Sequence, residues 1–197
     1  MIKSDELEEA VHIIKEGGVI VYPTETSYGL GCDATNAEAV DRIFNIKGRD
    51  KGEALPIILP DLGTAAEYVS LSEKALKLAA THWPGPLNII APCIAESPAA
   101  PVCAKNGTQS VRVSSHSIAA DLTRRLGKPL VATSANKSGE ESLYSAEEVE
   151  KAFANEDEKP DLIVDAGELP KNLASTTEYI DGDEVSVLRH GDIQIEN

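Results

Sequence analysis

The sequence predicts an α/β fold, built as a single domain in which helices flank a twisted, open sheet of mixed parallel and antiparallel strands. Amphipathic helical segments alternate with short β-branched runs, and strand-like runs become more frequent toward the C-terminus. A chain of 197 residues with 42% hydrophobic content is long enough for one well-formed core. We therefore expect residues 1–197 to form one domain without repeats or linkers.

The first elements place a hydroxyl-rich segment at the end of a strand. Ser4 is expected to cap a helix that ends at Gly17-Gly18, because the apolar residues between them recur with helical spacing. The β-branched run 19–22 predicts a strand that Pro23 stops. The segment PTETSYGLG, residues 23–31, therefore follows the carboxyl end of a strand, where open α/β sheets bind ligands.

A second helix, capped by Asn36, is predicted to end at the basic sequence Lys47-Gly48-Arg49. Ser145 and Glu148 have the spacing of a capping box, which predicts a helix that runs to about Phe153. The other predicted helices cover residues 72–81 and 118–126, and the other predicted strands cover residues 55–59, 87–90, 110–113, 130–132, 162–164, 176–180 and 185–188.

The charge is acidic overall but unevenly spread. The chain has 18 Lys and Arg against 33 Asp and Glu, a net charge of −15. Residues 1–41 carry a net charge of −7, residues 42–137 of +5 and residues 138–197 of −13. An acidic protein that keeps a positive middle third is expected to gather an anion there. The simpler alternative is that surface cations balance local acids.

Composition argues against several classes of function. Aromatic residues make up only 4% of the chain, which together with the net charge opposes nonspecific binding of nucleic acid. No apolar run is long enough to span a bilayer and no signal peptide opens the chain, so we expect a cytoplasmic protein without membrane association. Cys32, Cys93 and Cys103 are expected to be buried thiols, with a Cys93–Cys103 bridge left open.

Two polar clusters in the first quarter of the chain are candidates for binding. Thr24 and Thr26 offer hydroxyl groups that both donate and accept hydrogen bonds, although an ordinary turn would explain them equally well. Lys47 and Arg49 combine a point charge with a planar fork of donors, which suits a phosphate or carboxylate.

Two further clusters follow predicted strands or lie on them. Arg112, near Thr108 and Ser110, alternates with valines and so points to the opposite face of its strand. The segment ATSANKSG, residues 132–139, can turn hydroxyls and backbone N–H groups toward phosphate, although no P-loop sequence is present. A solvated side chain and a surface turn are the simpler alternatives. The four histidines show no metal-ligand spacing, so no metal site is predicted. A hydrolase built on Ser134 and His116 lacks the GxSxG sequence.

These clusters, in this order, resemble the YrdC-like family of threonylcarbamoyl-AMP synthases. The resemblance extends over nearly the whole chain and matches its short single-domain form. The matching segments are YPTETSYGLGCDA (22–34), IKGR (46–49), WPGPL (83–87), SVRV (110–113), ATSANKSG (132–139), AST (174–176) and LRHG (188–191).

The resemblance implies a nucleotidyltransferase that condenses L-threonine, bicarbonate (or CO2) and ATP to threonylcarbamoyl-AMP and releases pyrophosphate. The product would feed threonylcarbamoyladenosine formation at position 37 of tRNA, carried out by partner proteins. The resemblance also implies a large positive cavity, with Mg2+ brought by ATP rather than held in a dedicated protein site. The alternatives are an RNA-binding protein of the same fold, for double-stranded RNA or ribosome assembly, and a paralogue that has lost synthesis.

Carried over residue by residue, the resemblance assigns Lys47 and Arg49 to catalysis. Contacts with L-threonine are implied for Thr24 or Thr26, Arg112 and Ser175, and contacts with ATP for Thr108, Ser134, Asn136, Ser142 and Arg189. The sequence also departs from the family pattern at two positions. Glu53 stands where His, Asn or Lys is usual, and Ser114 stands where VRxP has proline.

Overall fold

The fold is described from a computed structural model, which describes residues 4–50, 54–94, 100–182 and 184–194. Its helices are α1 (Ser4–Lys15), α2 (Ala37–Lys47), α3 (Leu62–Ala65), α4 (Glu73–His82), α5 (Ser117–Leu126) and α6 (Ala146–Phe153). Its strands are β1 (Ile20–Pro23), β2 (Tyr28–Gly31), β3 (Ile57–Ile58), β4 (Leu87–Pro92), β5 (Thr108–Arg112), β6 (Leu130–Val131), β7 (Thr133–Ser134), β8 (Leu162–Ile163), β9 (Thr176–Asp181) and β10 (Glu184–Arg189).

The strands form two mixed sheets, which confirms the predicted α/β class with parallel and antiparallel pairs. One sheet has the order β7-β2-β1-β8, and the other has the order β10-β9-β4-β5-β3-β6. The sequence predicted one sheet, and the division occurs at Ala132. Before this residue β6 pairs with β3, and after it β7 pairs with β2. One short segment therefore joins the two sheets.

The core consists of two apolar clusters, and successive residues of β1 contribute to different ones. Val111 is fully buried in the larger apolar cluster together with Ile43 of α2 and Ile89 of β4. Helices α1 and α5 pack on a second cluster that includes Ile20. Burial of each such side chain contributes about 1.5–3 kcal/mol. Along β5 the face opposite Val111 carries polar side chains instead, as the alternation around Arg112 predicted.

Local signals in the sequence placed most elements within one or two residues. Asn36 accepts hydrogen bonds from two backbone N–H groups at the start of α2, and Ser145 and Glu148 form the predicted capping box of α6. Strands β2 and β7 and the short helix α3 were not predicted. β2 and β7 lie within segments interpreted as polar turns, and two residues are too few to show a strand pattern in β7.

The cysteines differ in burial: Cys32 is buried as expected, whereas Cys93 and Cys103 are partly exposed. Cys32 is fully buried, and burial raises the pKa of its thiol well above the ordinary value. The sulfur atoms of Cys93 and Cys103 lie 2.6 Å apart. In the part of the chain that the structure describes, no helix is long and apolar enough to cross a membrane.

Candidate functional site

A cavity of about 580 Å³ opens between residues of the two sheets. Its volume lies in the range of small-molecule sites. The cavity brings together residues that are up to 165 positions apart in the sequence. Its lining includes these sequence-predicted site residues: Thr24, Thr26, Lys47, Arg49, Arg112, Ser134, Asn136, Ser142, Ser175 and Arg189.

Thr108 is the predicted site residue that the structure does not bring to the cavity lining. It begins β5, and its hydroxyl donates to Asn106 Oδ1 at 2.8 Å, in the turn before the strand. The strand therefore carries Arg112 and Ser110 to the cavity, whereas Thr108 lies at its far end and belongs to the turn.

The turn between β1 and β2 is built around the hydroxyl of Thr24. This hydroxyl donates to the carbonyl of Ser27 at 2.7 Å and accepts from the backbone N–H groups of Thr26 and Ser27. Since a hydroxyl has a single hydrogen, the Thr24 hydroxyl is committed to the turn. The hydroxyl of Thr26, 3.1 Å from that of Thr24, is the one better placed to meet a ligand.

The end of α2 explains the order of residues in Lys47-Gly48-Arg49. Gly48 closes the helix with φ +60°, in the left-handed region that favours glycine, and the N–H groups of Gly48 and Arg49 bond to the last helical carbonyls. The helix therefore ends between the two cations. Both reach the cavity although they are only two residues apart.

The ammonium group of Lys47 connects this helix end to the loop after β7. Its Nζ donates to the carbonyl of Ser134 at 2.6 Å and to the carbonyl of Asn136 at 2.8 Å. The N–H of Ser138 donates in turn to the carbonyl of Lys47. Burial, with a smaller effect from Arg49, lowers the pKa of Lys47 to about 8. Lys47 therefore both shapes the loop and brings a charge to the cavity wall.

Asn136 is held in that loop by its amide nitrogen, which donates to the carbonyl of Glu140 at 2.6 Å. Its side-chain oxygen is buried and has no hydrogen-bond partner among the described atoms. A buried acceptor of this kind lowers the stability of the folded protein unless a ligand or water donates a hydrogen bond to it.

The segments AST and LRHG lie against each other in a second part of the cavity lining. Arg189 Nε donates to the carbonyl of Ser175 at 2.9 Å, and the N–H of Gly191 donates to the Thr176 hydroxyl. A Cβ atom at Gly191 would lie 2.0 Å from the carbonyl oxygen of Ala174, so only glycine permits this approach. Partial burial and the nearby charge of Arg112 lower the pKa of Arg189. Two cations therefore lie close together in this part of the lining.

Arg112, on β5, lies in the same part of the cavity lining as Ser175. Its Nη1 donates to Ser175 Oγ at 2.6 Å and to Glu25 Oε1 at 2.7 Å. Sequence reasoning missed Glu25, because a carboxylate in an acidic protein carries no distinguishing signal of its own. It also missed the polar floor formed by Asn88 and Thr177, which lie on the cavity face of β4 and β9.

Other sequence expectations have mixed outcomes. Ser134 lines the main cavity whereas His116 lines a separate one, so the two do not assemble a hydrolase pair. In the described parts of the chain, no group of three His, Cys, Asp or Glu side chains can hold a metal ion. Glu53, the first departure from the family pattern, lies outside the described residues. Ala54 and Pro56 just beyond it line the cavity.

Comparison with known proteins adds a family match. A family model for Sua5, YciO and YrdC proteins, described as "Telomere recombination", matches residues 12–191. The structure resembles P. abyssi Sua5 complexed with L-threonine, with a TM-score of 0.89 and 33% identity over 97% of this chain and 55% of the Sua5 chain. This chain thus spans just over half the length of that relative.

Two further solved structures match along most of both chains. E. coli YciO has a TM-score of 0.86 and 30% identity, over 96% of this chain and 90% of YciO. The MTH1692 protein from Methanobacterium thermoautotrophicum has a TM-score of 0.75 and 29% identity, over 99% of this chain and 90% of its own.

Proposed function

This chain belongs to the Sua5/YciO/YrdC family, and on that premise we propose that it condenses L-threonine, bicarbonate or CO2 and ATP to threonylcarbamoyl-AMP. The observation that carries the proposal is the shared cavity, in which cations at two separate places face hydroxyl and amide groups. The L-threonine complex of P. abyssi Sua5, a relative with 33% identity, supports the amino-acid substrate.

The two groups of cations in the cavity lining suit two anionic substrates. Lys47 and Arg49, beside the loop that carries Ser134 and Asn136, would hold the phosphates of ATP, because cations and small polar groups together match phosphate oxygens. The Thr26 hydroxyl, with Arg112 and Ser175, would hold L-threonine through its carboxylate and hydroxyl. Mg2+ would enter with the nucleotide and screen its charge.

The chemistry then requires positioning more than a reactive side chain. The threonine amine attacks the carbon of CO2, loses a proton and becomes a carbamate. A carbamate oxygen attacks the α-phosphorus of ATP, the bond to the β-phosphate oxygen breaks, and pyrophosphate leaves. The cations would stabilise the charge that develops on the phosphates, and the cavity would hold the two reactants in line. We propose that the product serves tRNA modification at position 37 with partner proteins.

Pyrophosphate release by the purified protein with ATP, Mg2+ and bicarbonate, with and without L-threonine, tests this proposal. We expect release that depends on L-threonine. Arg49→Ala should lower it by at least about 100-fold, because a cation at the developing charge is lost. Lys77→Ala, at an exposed lysine of α4, is the matched control and should match the wild type. Release without dependence on L-threonine, or an unaffected Arg49→Ala variant, would contradict the proposal.

RNA binding is the second candidate function, favoured by the net charge of +5 on residues 42–137. Ion pairs with acidic residues outside this segment take up part of that charge.

A further inference from the structure

A chain of side-chain contacts fixes Arg112 from behind the cavity wall. Glu25 accepts from Arg112 Nη1 through Oε1, at 2.7 Å, and from the Ser114 hydroxyl through Oε2. Ser114 Oγ also accepts from the backbone N–H of His116, at the start of α5. The path thus runs from Arg112 through Glu25 and Ser114 to a helix terminus.

These contacts are shielded from water. The side chain of Arg112 is 5% exposed and that of Glu25 is 12% exposed, and Ser114 as a residue is 2% exposed. In such surroundings an ion pair needs good geometry and further hydrogen bonds to offset desolvation of its charges. Ser114 and Ser175 supply those bonds, one to each partner of the pair.

Glu25 is not among the described residues that line the cavity, whereas Arg112 is. Both hydrogens of Arg112 Nη1 are used by Glu25 and Ser175. Only Nε and Nη2 of the guanidinium group are therefore left to donate to a ligand, and these two bonds set their orientation.

We propose that Ser114 and Glu25 are positioning residues that hold the guanidinium of Arg112 in the orientation that binds the carboxylate of the amino-acid substrate. The identity of that substrate rests on the proposed function. Ser114 stands where the family pattern has proline, which has no hydroxyl, so this chain builds the contact with a residue that departs from the pattern. Serine in place of proline at position 114 therefore adds a hydrogen bond that holds Glu25 beside Arg112.

Steady-state kinetics of a Ser114→Ala variant test the proposal. We expect kcat/KM for L-threonine to fall about tenfold, the size expected for one hydrogen bond to a charged group. The KM for ATP should change by less than about twofold, because Lys47 and Arg49 lie on other elements. Ser114→Thr, which keeps the hydroxyl, should restore most of the loss. Ser115→Ala, at the exposed neighbour, is the matched control.

A double-mutant cycle separates positioning from a general structural role. In a Glu25→Ala background the Ser114→Ala substitution should have less than about a twofold further effect, because its partner is already absent. Equal effects in both backgrounds, or equal losses for L-threonine and ATP, would overturn the proposal.

Side-chain NMR of Arg112 supplies a readout that needs no turnover. In the wild type and in Ser115→Ala, rotation of the guanidinium nitrogens should be hindered, whereas in Ser114→Ala it should be faster. Unchanged rotation in Ser114→Ala would overturn the positioning role. If rotation changes but the wild type shows no threonine-dependent release of pyrophosphate, the positioning role stands and the proposed function fails.

Discussion

Lys47 shows how a single residue can serve structure and chemistry together. Its ammonium group donates to two carbonyls of the loop after β7, and the residue is only 4% exposed. The sequence predicted a cation at this place but not its two backbone partners, because contacts with the carbonyls of Ser134 and Asn136 depend on a loop almost 90 residues away. Burial of the charge has a consequence for stability that can be measured.

The stability of the protein should depend on pH through Lys47. Its pKa is lowered to about 8 in the folded protein, whereas the unfolded value is about 10.4. Between these values the unfolded chain binds more protons, so the contribution of Lys47 to the free energy of unfolding rises with pH across this window. The full cost of the buried charge is present below about pH 8.

Urea unfolding of the wild type and of Lys47→Met at about pH 7 and about pH 10 isolates this contribution. The wild type should gain stability relative to the variant as the pH rises. The exposed Lys77→Met is the control, since any general effect of lost lysine charge applies to it also. A difference between wild type and Lys47→Met that stays constant with pH would contradict the pKa and its cause.

At the scale of elements, local signals predicted most of what was found, and long-range pairing accounts for the rest. The cap at Asn36, the capping box at Ser145 and the glycine after Lys47 act within one turn of a helix, so the sequence shows them directly. Strand β7 has two residues and exists because β2 offers it a partner. The contact between Arg112 and Glu25 joins residues 87 positions apart, and no local pattern indicates it.

The pairing of β9 with the segment after β10 yields a prediction for Gly191. In Gly191→Ala the new Cβ would meet the backbone of residues 174–176, which must then move and carry Ser175 and Arg189 with it. We expect a loss of about 1–3 kcal/mol in the free energy of unfolding. We also expect at least about a tenfold loss in kcat/KM for L-threonine.

Gly63→Ala is the control for this prediction. Its Cβ would meet only a side-chain oxygen of Asp61, at 3.3 Å, and Gly63 is not among the described residues that line the cavity. Chemical denaturation and steady-state kinetics of both variants provide the measurement. Wild-type kinetics in Gly191→Ala would show that the approach of the two segments does not shape the site.

At the scale of the whole molecule, the positive middle third of the sequence is paired with the acidic ends. Ion pairs join Arg125 to Glu8, Lys128 to Asp33, Arg42 to Asp161 and Lys137 to Glu156. The simple alternative, in which surface cations balance nearby acids, therefore holds for these residues. The cations that line the cavity form a separate group, which comprises Lys47, Arg49, Arg112 and Arg189.

This distribution predicts weak binding of RNA. Filter binding of a tRNA should show little retention at about 0.15 M salt, because the net charge of −15 repels phosphates and many outer cations already have acidic partners. An excess of ATP should remove whatever binds at low salt through the cavity, where Lys47, Arg49, Arg112 and Arg189 are brought together. Tight, ATP-insensitive retention at about 0.15 M salt would favour the RNA-binding function instead.

The most direct test of the account is the fate of the bicarbonate carbon. The purified protein would be incubated with ATP, Mg2+, L-threonine and isotopically labelled bicarbonate, and the nucleotide product analysed by mass spectrometry. We expect an adenylate that contains both threonine and the labelled carbon. An adenylate of threonine without that carbon, or AMP alone, would contradict it.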